Sequence, residues 1–302
     1  MYTVPDQTGR RIVVTGSNSG TGREAAARLA VAGAEVIMAV RSLEKGEAAK
    51  AEILRSHPDA DVEVRRLDLA DLRSIRAFAD GIRSEDRPVH TLVNNAGVMI
   101  PPQRMTTADG FELQFGTNFL GPFALTALLM PVLLASESPR VATMSSGTAN
   151  FGRIRFGDLQ WERRYSRTAA YAQSKLADLY FGRHLAAIAT RGGLPLLSTI
   201  AHPGYTRTNL QTAGRNLGRA EQLPPIRRTI LPSQSVETGA EPLLFAAADP
   251  SAEQGAYYGP GGALGLVGPT TRVRIPRSAR DLDVAARLVA AAEGLTGTPL
   301  PI

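Results

Sequence analysis

Cysteine is absent from the 302 residues, which excludes disulfides, zinc–thiolate centres and a thiol nucleophile. No metal site is expected. A chain of this length buries a sizeable core without cross-links. Long apolar runs are also scarce: the longest, Phe119 to Leu134, is broken by Gly121, Pro122 and Pro131, so no membrane span is expected. Met1 to Gly9 has no apolar centre to act as a signal peptide, and the expected location is the cytoplasm. Runs of basic residues are missing as well, although the formal charge is +6 and the sequence pI about 10.0. The arginines fall in pairs (Arg10-Arg11, Arg65-Arg66, Arg163-Arg164, Arg227-Arg228) with no aromatic residues interleaved. That charge reads as a solvated surface, and no nucleic-acid partner is expected.

What is present is an alternation. Arg11 to Thr15, Glu35 to Val40, Val62 to Leu67, Val89 to Val93, Val141 to Met144 and Leu196 to Ile200 are short apolar runs rich in β-branched residues. Helical patterns lie between them, including Arg23 to Ala32, Ser42 to Arg55 with Ser42 as N-cap, and Asp71 to Arg83. Short buried strands alternating with helices predict βαβ units and a parallel sheet. The expected fold is therefore α/β: a doubly wound Rossmann sheet of about seven mainly parallel strands, with helices on both faces. No linker divides the chain, so residues 1–302 read as a single domain. The polar, Gly-, Pro- and Arg-rich stretch from Tyr205 to Pro232 reads as a substrate lid. A C-terminal helical extension is expected from about Ala279.

Thr15-Gly16-Ser17-Asn18-Ser19-Gly20-Thr21-Gly22 joins the first strand to the first helix. Glycines there let the backbone turn tightly against a pyrophosphate, whose charge the helix N-terminus stabilises. A P-loop is disfavoured, because no Gly-Lys-Ser/Thr ending follows. An NAD site would place Asp or Glu at the end of the second strand to hold the ribose 2′-hydroxyl. This chain has Val40-Arg41-Ser42 instead, and an arginine fork suits a 2′-phosphate. NADP(H) is the expected cofactor, with NAD(H) the alternative.

Further signals fall where a doubly wound fold would gather them above the sheet. Asn94-Asn95-Ala96-Gly97 follows the fourth strand, Asn118 interrupts an apolar helix, Ser145-Ser146-Gly147 ends the fifth strand, and Tyr171 and Lys175 share one helix face at i,i+4. Together with Pro203-Gly204, these residues stand in the order of the classical short-chain dehydrogenase/reductase family, which the chain resembles from residue 10 to about 260. The resemblance implies a hydride transfer between the nicotinamide ring and a carbonyl or alcohol carbon. Tyr171 would be the general acid/base, its phenolate favoured by Lys175 and by the positive ring. Ser146, rather than Ser145, would steady the substrate oxygen. Lys175 would also bind the nicotinamide ribose, and Asn118 would support a water-mediated proton relay. The same resemblance assigns Gly16, Ser17, Asn18, Ser19, Gly20, Thr21 and Gly22 to the phosphates and Arg41 to the 2′-phosphate. It assigns Asp68, Leu69, Asn95, Ala96 and Gly97 to the adenosine side, and Pro203, Gly204, Thr206 and Thr208 to the nicotinamide amide and pyrophosphate. Homodimers or homotetramers formed through two long helices, Thr107 to Leu134 and Thr168 to Arg191, are also implied.

One feature departs from the commonest pattern. Twenty-four residues separate Ser146 from Tyr171, roughly double the usual gap of the family. The extra stretch, Phe151 to Ala170, holds Trp161 and Arg153, Arg155, Arg163, Arg164 and Arg167, and is expected to loop out. A similar insertion marks the retinol-dehydrogenase-like and protochlorophyllide-reductase-like branch. The lid arginines Arg207, Arg215, Arg219, Arg227 and Arg228 suit either an anionic substrate or plain solvation. The rival to an enzyme is an NADP-binding sensor or scaffold without turnover; such proteins generally lose the Tyr or the Lys, and this chain keeps both. An epimerase or dehydratase is weakened by the Gly-x-x-x-Gly-x-Gly form of the turn.

Overall fold

Six of the apolar runs form strands within two residues of their expected bounds: β1 (Arg11–Thr15), β2 (Glu35–Val40), β3 (Val62–Arg66), β4 (Thr91–Asn94), β5 (Arg140–Met144) and β6 (Leu197–Ala201). The computed structural model describes residues 1–208, 210–219, 223 and 232–302. Two more strands, β7 (Tyr257–Pro260) and β8 (Thr270–Arg272), complete one eight-stranded sheet of order β3-β2-β1-β4-β5-β6-β7-β8. The first seven run parallel, and β8 is antiparallel to β7. Tyr-Tyr-Gly-Pro carries neither a β-branched run nor alternation, so β7 has no signal of its own; its place comes from pairing with β6 through Ile200 and Ala201.

Strand periodicity divides the core in two. Val13 and Ile37 face α3 (Leu72–Arg83), α5 (Gly121–Leu134), α6 (Arg167–Gly192) and α9 (Leu282–Thr296). Ile12, Val14, Val36 and Met38 face α1 (Gly20–Val31), α2 (Leu43–Ser56) and α8 (Val236–Ala248). Capping sets the helix starts. Ser42 accepts from Lys45 N at 3.3 Å and Asp71 from Arg73 N at 2.9 Å. The C-terminal helix begins at Leu282 rather than Ala279, because Asp281 caps it by accepting from Asp283 N and Val284 N.

The apolar helix is present, starting at Leu113 rather than Thr107. Leu113–Leu134 is continuous: α4 (Leu113–Phe115) runs through a π turn at Gly116–Leu120 into α5. Gly121 and Pro122 do not break it: Leu120 and Gly121 keep helical backbone angles, φ −63° and −62°, and the proline falls where the π turn passes into α5. By length and composition the 22 residues could cross a membrane, yet 78% of their most apolar window is buried inside the protein. The helix α9 lies along α6 and touches α5, so it covers part of the two helices through which copies were expected to pair. A seven-residue helix, α7 (Leu210–Asn216), lies within the expected lid. Of that stretch, residues 209, 220–222 and 224–231, Arg227 and Arg228 among them, are outside the described residues.

Candidate active site

Strand order reverses between β1 and β4, and the loops leaving those two strands diverge to open a crevice at their carboxyl ends. A cavity of about 1290 Å³ fills it, lined from Arg41 at one end to Tyr171, Leu217 and Arg274 at the other.

At the first end the glycine turn is shaped by contact. Gly16 has φ +67° and lies so close to Ala96 that a Cβ would come within 2.8 Å of the Ala96 Cα. A Cβ on Gly22 would collide with the Asn95 side-chain amide. Asn95 ties the turn to β4: its Nδ2 donates to Thr15 O at 2.9 Å, and Thr21 Oγ1 donates to its Oδ1 at 3.0 Å. The helix that follows is unlike the others. Ser19, the N-cap of α1, makes no side-chain cap bond, whereas α2, α3, α6, α8 and α9 are each capped by a Ser or Asp side chain. Ser19, Gly20 and Thr21 line the cavity, so the free N–H groups of the first turn of α1 face a space where an anion fits.

Asn18, Asp68, Leu69, Ala96, Gly97, Pro203, Gly204, Thr206 and Thr208 also line the cavity. Two expected contacts do not. Ser17 is buried and donates to Val14 O at 3.0 Å, and Gly22 packs under the turn; both shape the loop from behind. Arg41 lines the cavity with Ser42, and Arg23 and Lys45, which were not anticipated, stand with it. Lys45 lies in the first turn of α2 beside the cap, a position from which its proximity to the end of β2 could have been read.

At the other end, α6 starts at its cap Ser166 and carries Tyr171 and Lys175 one turn apart. Ser145 Oγ donates to Lys175 O at 2.7 Å, which fastens β5 to this helix and commits the one proton of the Ser145 hydroxyl. Ser146 caps a short 3-10 turn, its Oγ accepting from Thr148 N and Oγ1 at 3.2 and 3.0 Å, and lines the cavity beside Tyr171. Lys175 Nζ donates to Met144 O at 2.9 Å and to Asp178 Oδ2 at 2.8 Å, all of it buried. Asp178 was missed, although its i,i+3 spacing from Lys175 was a readable signal. Burial pushes the Asp178 carboxyl up to about 7 against the pull of Lys175. Burial alone would lower Lys175, but the Asp178 carboxylate beside it holds the ammonium above its ordinary range. Tyr171 is raised by burial, with Lys175 and the Ser146 hydroxyl drawing it back.

Asn118 sits in the π turn and behind the cavity wall, not on it. Its Oδ1 accepts from Val98 N at 2.7 Å, and its Nδ2 donates to Val98 O at 3.0 Å and to Ser174 Oγ at 2.9 Å. It thereby clamps the segment after β4 to α6 and sets Gly97 near Lys175.

The stretch expected to loop out is packed instead. Ile154, Phe156 and Leu159 lie against the core and Trp161 is buried, with the Arg155 guanidinium 4.3 Å above its ring. Gln173 holds the segment from α6, donating to Leu159 O and accepting from Arg155 N. Tyr165 donates to the buried Glu112, whose carboxyl is raised by that burial. His202 and Tyr257 complete the wall near Ser146, their rings 5.0 Å apart.

Comparison with known proteins gives a consistent result. A family model described as short chain dehydrogenase matches residues 10–216. The chain is 46% identical to retinol dehydrogenase 12 of Homo sapiens over 202 residues, 67% of this chain and 63% of that protein. That match spans less than two thirds of the relative. It is 39% identical to retinol dehydrogenase 13 of Homo sapiens over 300 residues, 97% of this chain and 86% of that one. A crystal structure of an uncharacterized protein from Mycobacterium Paratuberculosis is 42% identical with a TM-score of 0.82, covering 99% of this chain and 97% of that one. A structure from Beutenbergia cavernae, suggested to be an NAD(P) dependent gluconate 5-dehydrogenase, has NADP bound at low occupancy. It is 26% identical with a TM-score of 0.63, covering 83% of this chain and 95% of that one.

Proposed function

This chain belongs to the short chain dehydrogenase family, in its retinol-dehydrogenase-like branch, and from that premise we propose that it is an NADP-dependent oxidoreductase interconverting a carbonyl and its alcohol. The observation that carries the proposal is one continuous cavity. It begins at an uncapped helix N-terminus beside Arg41 and ends where Tyr171, Lys175 and Ser146 meet. An NADP(H) molecule laid along it would supply or accept the hydride.

The side chains do the rest. The N–H groups of the first turn of α1 hold the pyrophosphate, and Arg41 and Lys45 hold the 2′-phosphate, where a carboxylate would repel it. The NADP bound to the Beutenbergia cavernae relative supports that preference. Ser146 donates a hydrogen bond to the substrate oxygen, and Tyr171 donates the proton as that oxygen gains charge. A phenol raised by burial is protonated at neutral pH, which suits Tyr171 to the donor role in reduction. Lys175, kept charged by Asp178, offers its ammonium to the ribose and moderates the phenol. Asn118 acts as a positioning residue through Val98.

Titration calorimetry with NADPH and NADH, followed by a screen of aldehydes and ketones, tests this. Tighter NADPH binding with turnover supports the enzyme; tight binding without turnover of any carbonyl would instead favour a sensor.

A further inference from the structure

Charge is distributed unevenly around the cavity. Its two lining carboxylates among the described residues, Glu52 and Asp68, belong to the adenosine end. The substrate end is apolar, built by Met99 after β4, Leu210 and Leu217, and Leu264 and Leu266 after β7. Apart from the Lys175 ammonium, which Asp178 pairs, one formal charge stands at this end among the described residues: Arg274, two residues past β8.

Arg274 also lines a second cavity of about 540 Å³, and Tyr257 and Val273 are shared between the two spaces. Arg183 of α6, Arg272 of β8 and Arg280 line the second cavity, and no acidic residue does among the described residues. Arg272 has a carboxylate partner, Glu253, at 2.6 Å on the surface. Arg183 and Arg280 donate to backbone carbonyls, of Ala279 and Ile275. The guanidinium groups of Arg183, Arg274 and Arg280 have no carboxylate in salt-bridge reach among the described residues, and a concave wall of one sign concentrates the field on whatever enters.

On the oxidoreductase reading above, we propose that the substrate is an apolar carbonyl compound bearing a carboxylate or phosphate away from its reacting carbon, and that Arg274 receives this anion. Arg183 and Arg280 supply the surrounding field. The planar fork of Arg274 suits the paired oxygens of either group, and the apolar side chains lining the same space suit the skeleton. The charge preference lies on β8 and its flank, not on the described lid arginines: Arg207, Arg215 and Arg219 do not line the cavity.

The test is steady-state reduction, with NADPH, of oxo-acids of increasing length beside their methyl esters, with the matching oxo-alkyl phosphates as a third series. At one chain length the acid should exceed its ester in kcat/KM by about tenfold. In Arg274→Gln that ratio should fall towards one, and rising salt should lower it in the native enzyme. A preference for the phosphate series over the acids would name phosphate as the group. A ratio of one at every length, or a ratio that Arg274→Gln leaves unchanged while both rates fall, overturns the proposal and leaves the oxidoreductase standing. Failure to reduce any member of the three series overturns both.

Discussion

The two ends of the cleft are built in different ways. At the adenosine end, Gly16 and Arg41 follow directly on β1 and β2, and Asp68 stands two residues past β3, so sheet register delivers them to one place. At the substrate end, Met99, Leu210, Leu264 and Arg274 come from segments far apart in sequence, and packing of the intervening chain brings them together. Chemistry fixed to strand ends can be written as a motif, whereas chemistry carried on returning loops has to be seen in place.

The largest expected effect tests whether the ends work separately. Tyr171→Phe should reduce kcat by about a thousandfold while NADPH affinity, measured by calorimetry, stays within about threefold; a parallel loss of binding would make the two ends one unit. Next is the acid sensitivity that His202 gives the far end. Burial lowers His202 to about 4, so the folded state prefers the neutral ring. The stability this gives is present above pH 6.5 and is lost as pH falls through 4, in total about 3 kcal/mol. Urea unfolding at pH 7 and pH 4 should show that fall, and His202→Asn should flatten it. Arg41→Ser should then weaken NADPH about tenfold and leave NADH within about twofold; equal losses for both would remove Arg41 from the 2′-phosphate. The smallest contrast is between helix starts. Asp71→Ala should cost about 1 kcal/mol of unfolding free energy, because its side chain caps α3. Ser19→Ala should change it by less than about 0.5 kcal/mol, because its hydroxyl caps nothing.

That contrast also shows how far the residues could be read in advance. Strands β1 to β6, the glycine turn, Arg41 and the Ser146–Tyr171–Lys175 group were legible, because each is a local pattern tied to a strand end or a helix face. Strand β7 was not, since its position comes from Ile200 and Ala201 of β6. The segment Phe151 to Ala170 was free to loop out because Ser146 and Tyr171 lie on different elements, yet its own Trp161 is buried and Gln173 of α6 holds it. Asn118 stands out in an apolar helix, but the π turn that aims it at Val98 is a tertiary result, as is the burial of Ser17 beneath its own loop.

The short reversed strand at the end of the sheet has a consequence for the protein in concentrated solution. A bare sheet edge is a template on which another chain can lay a strand. Here one margin, β8, is three residues long, opposed in direction to the other seven, and carries Arg272. The other margin, β3, presents Glu63, Arg65 and Arg66 within five residues. Neither offers the long, flat, apolar border on which fibrous growth begins, so crowding should leave these molecules side by side rather than stitched together.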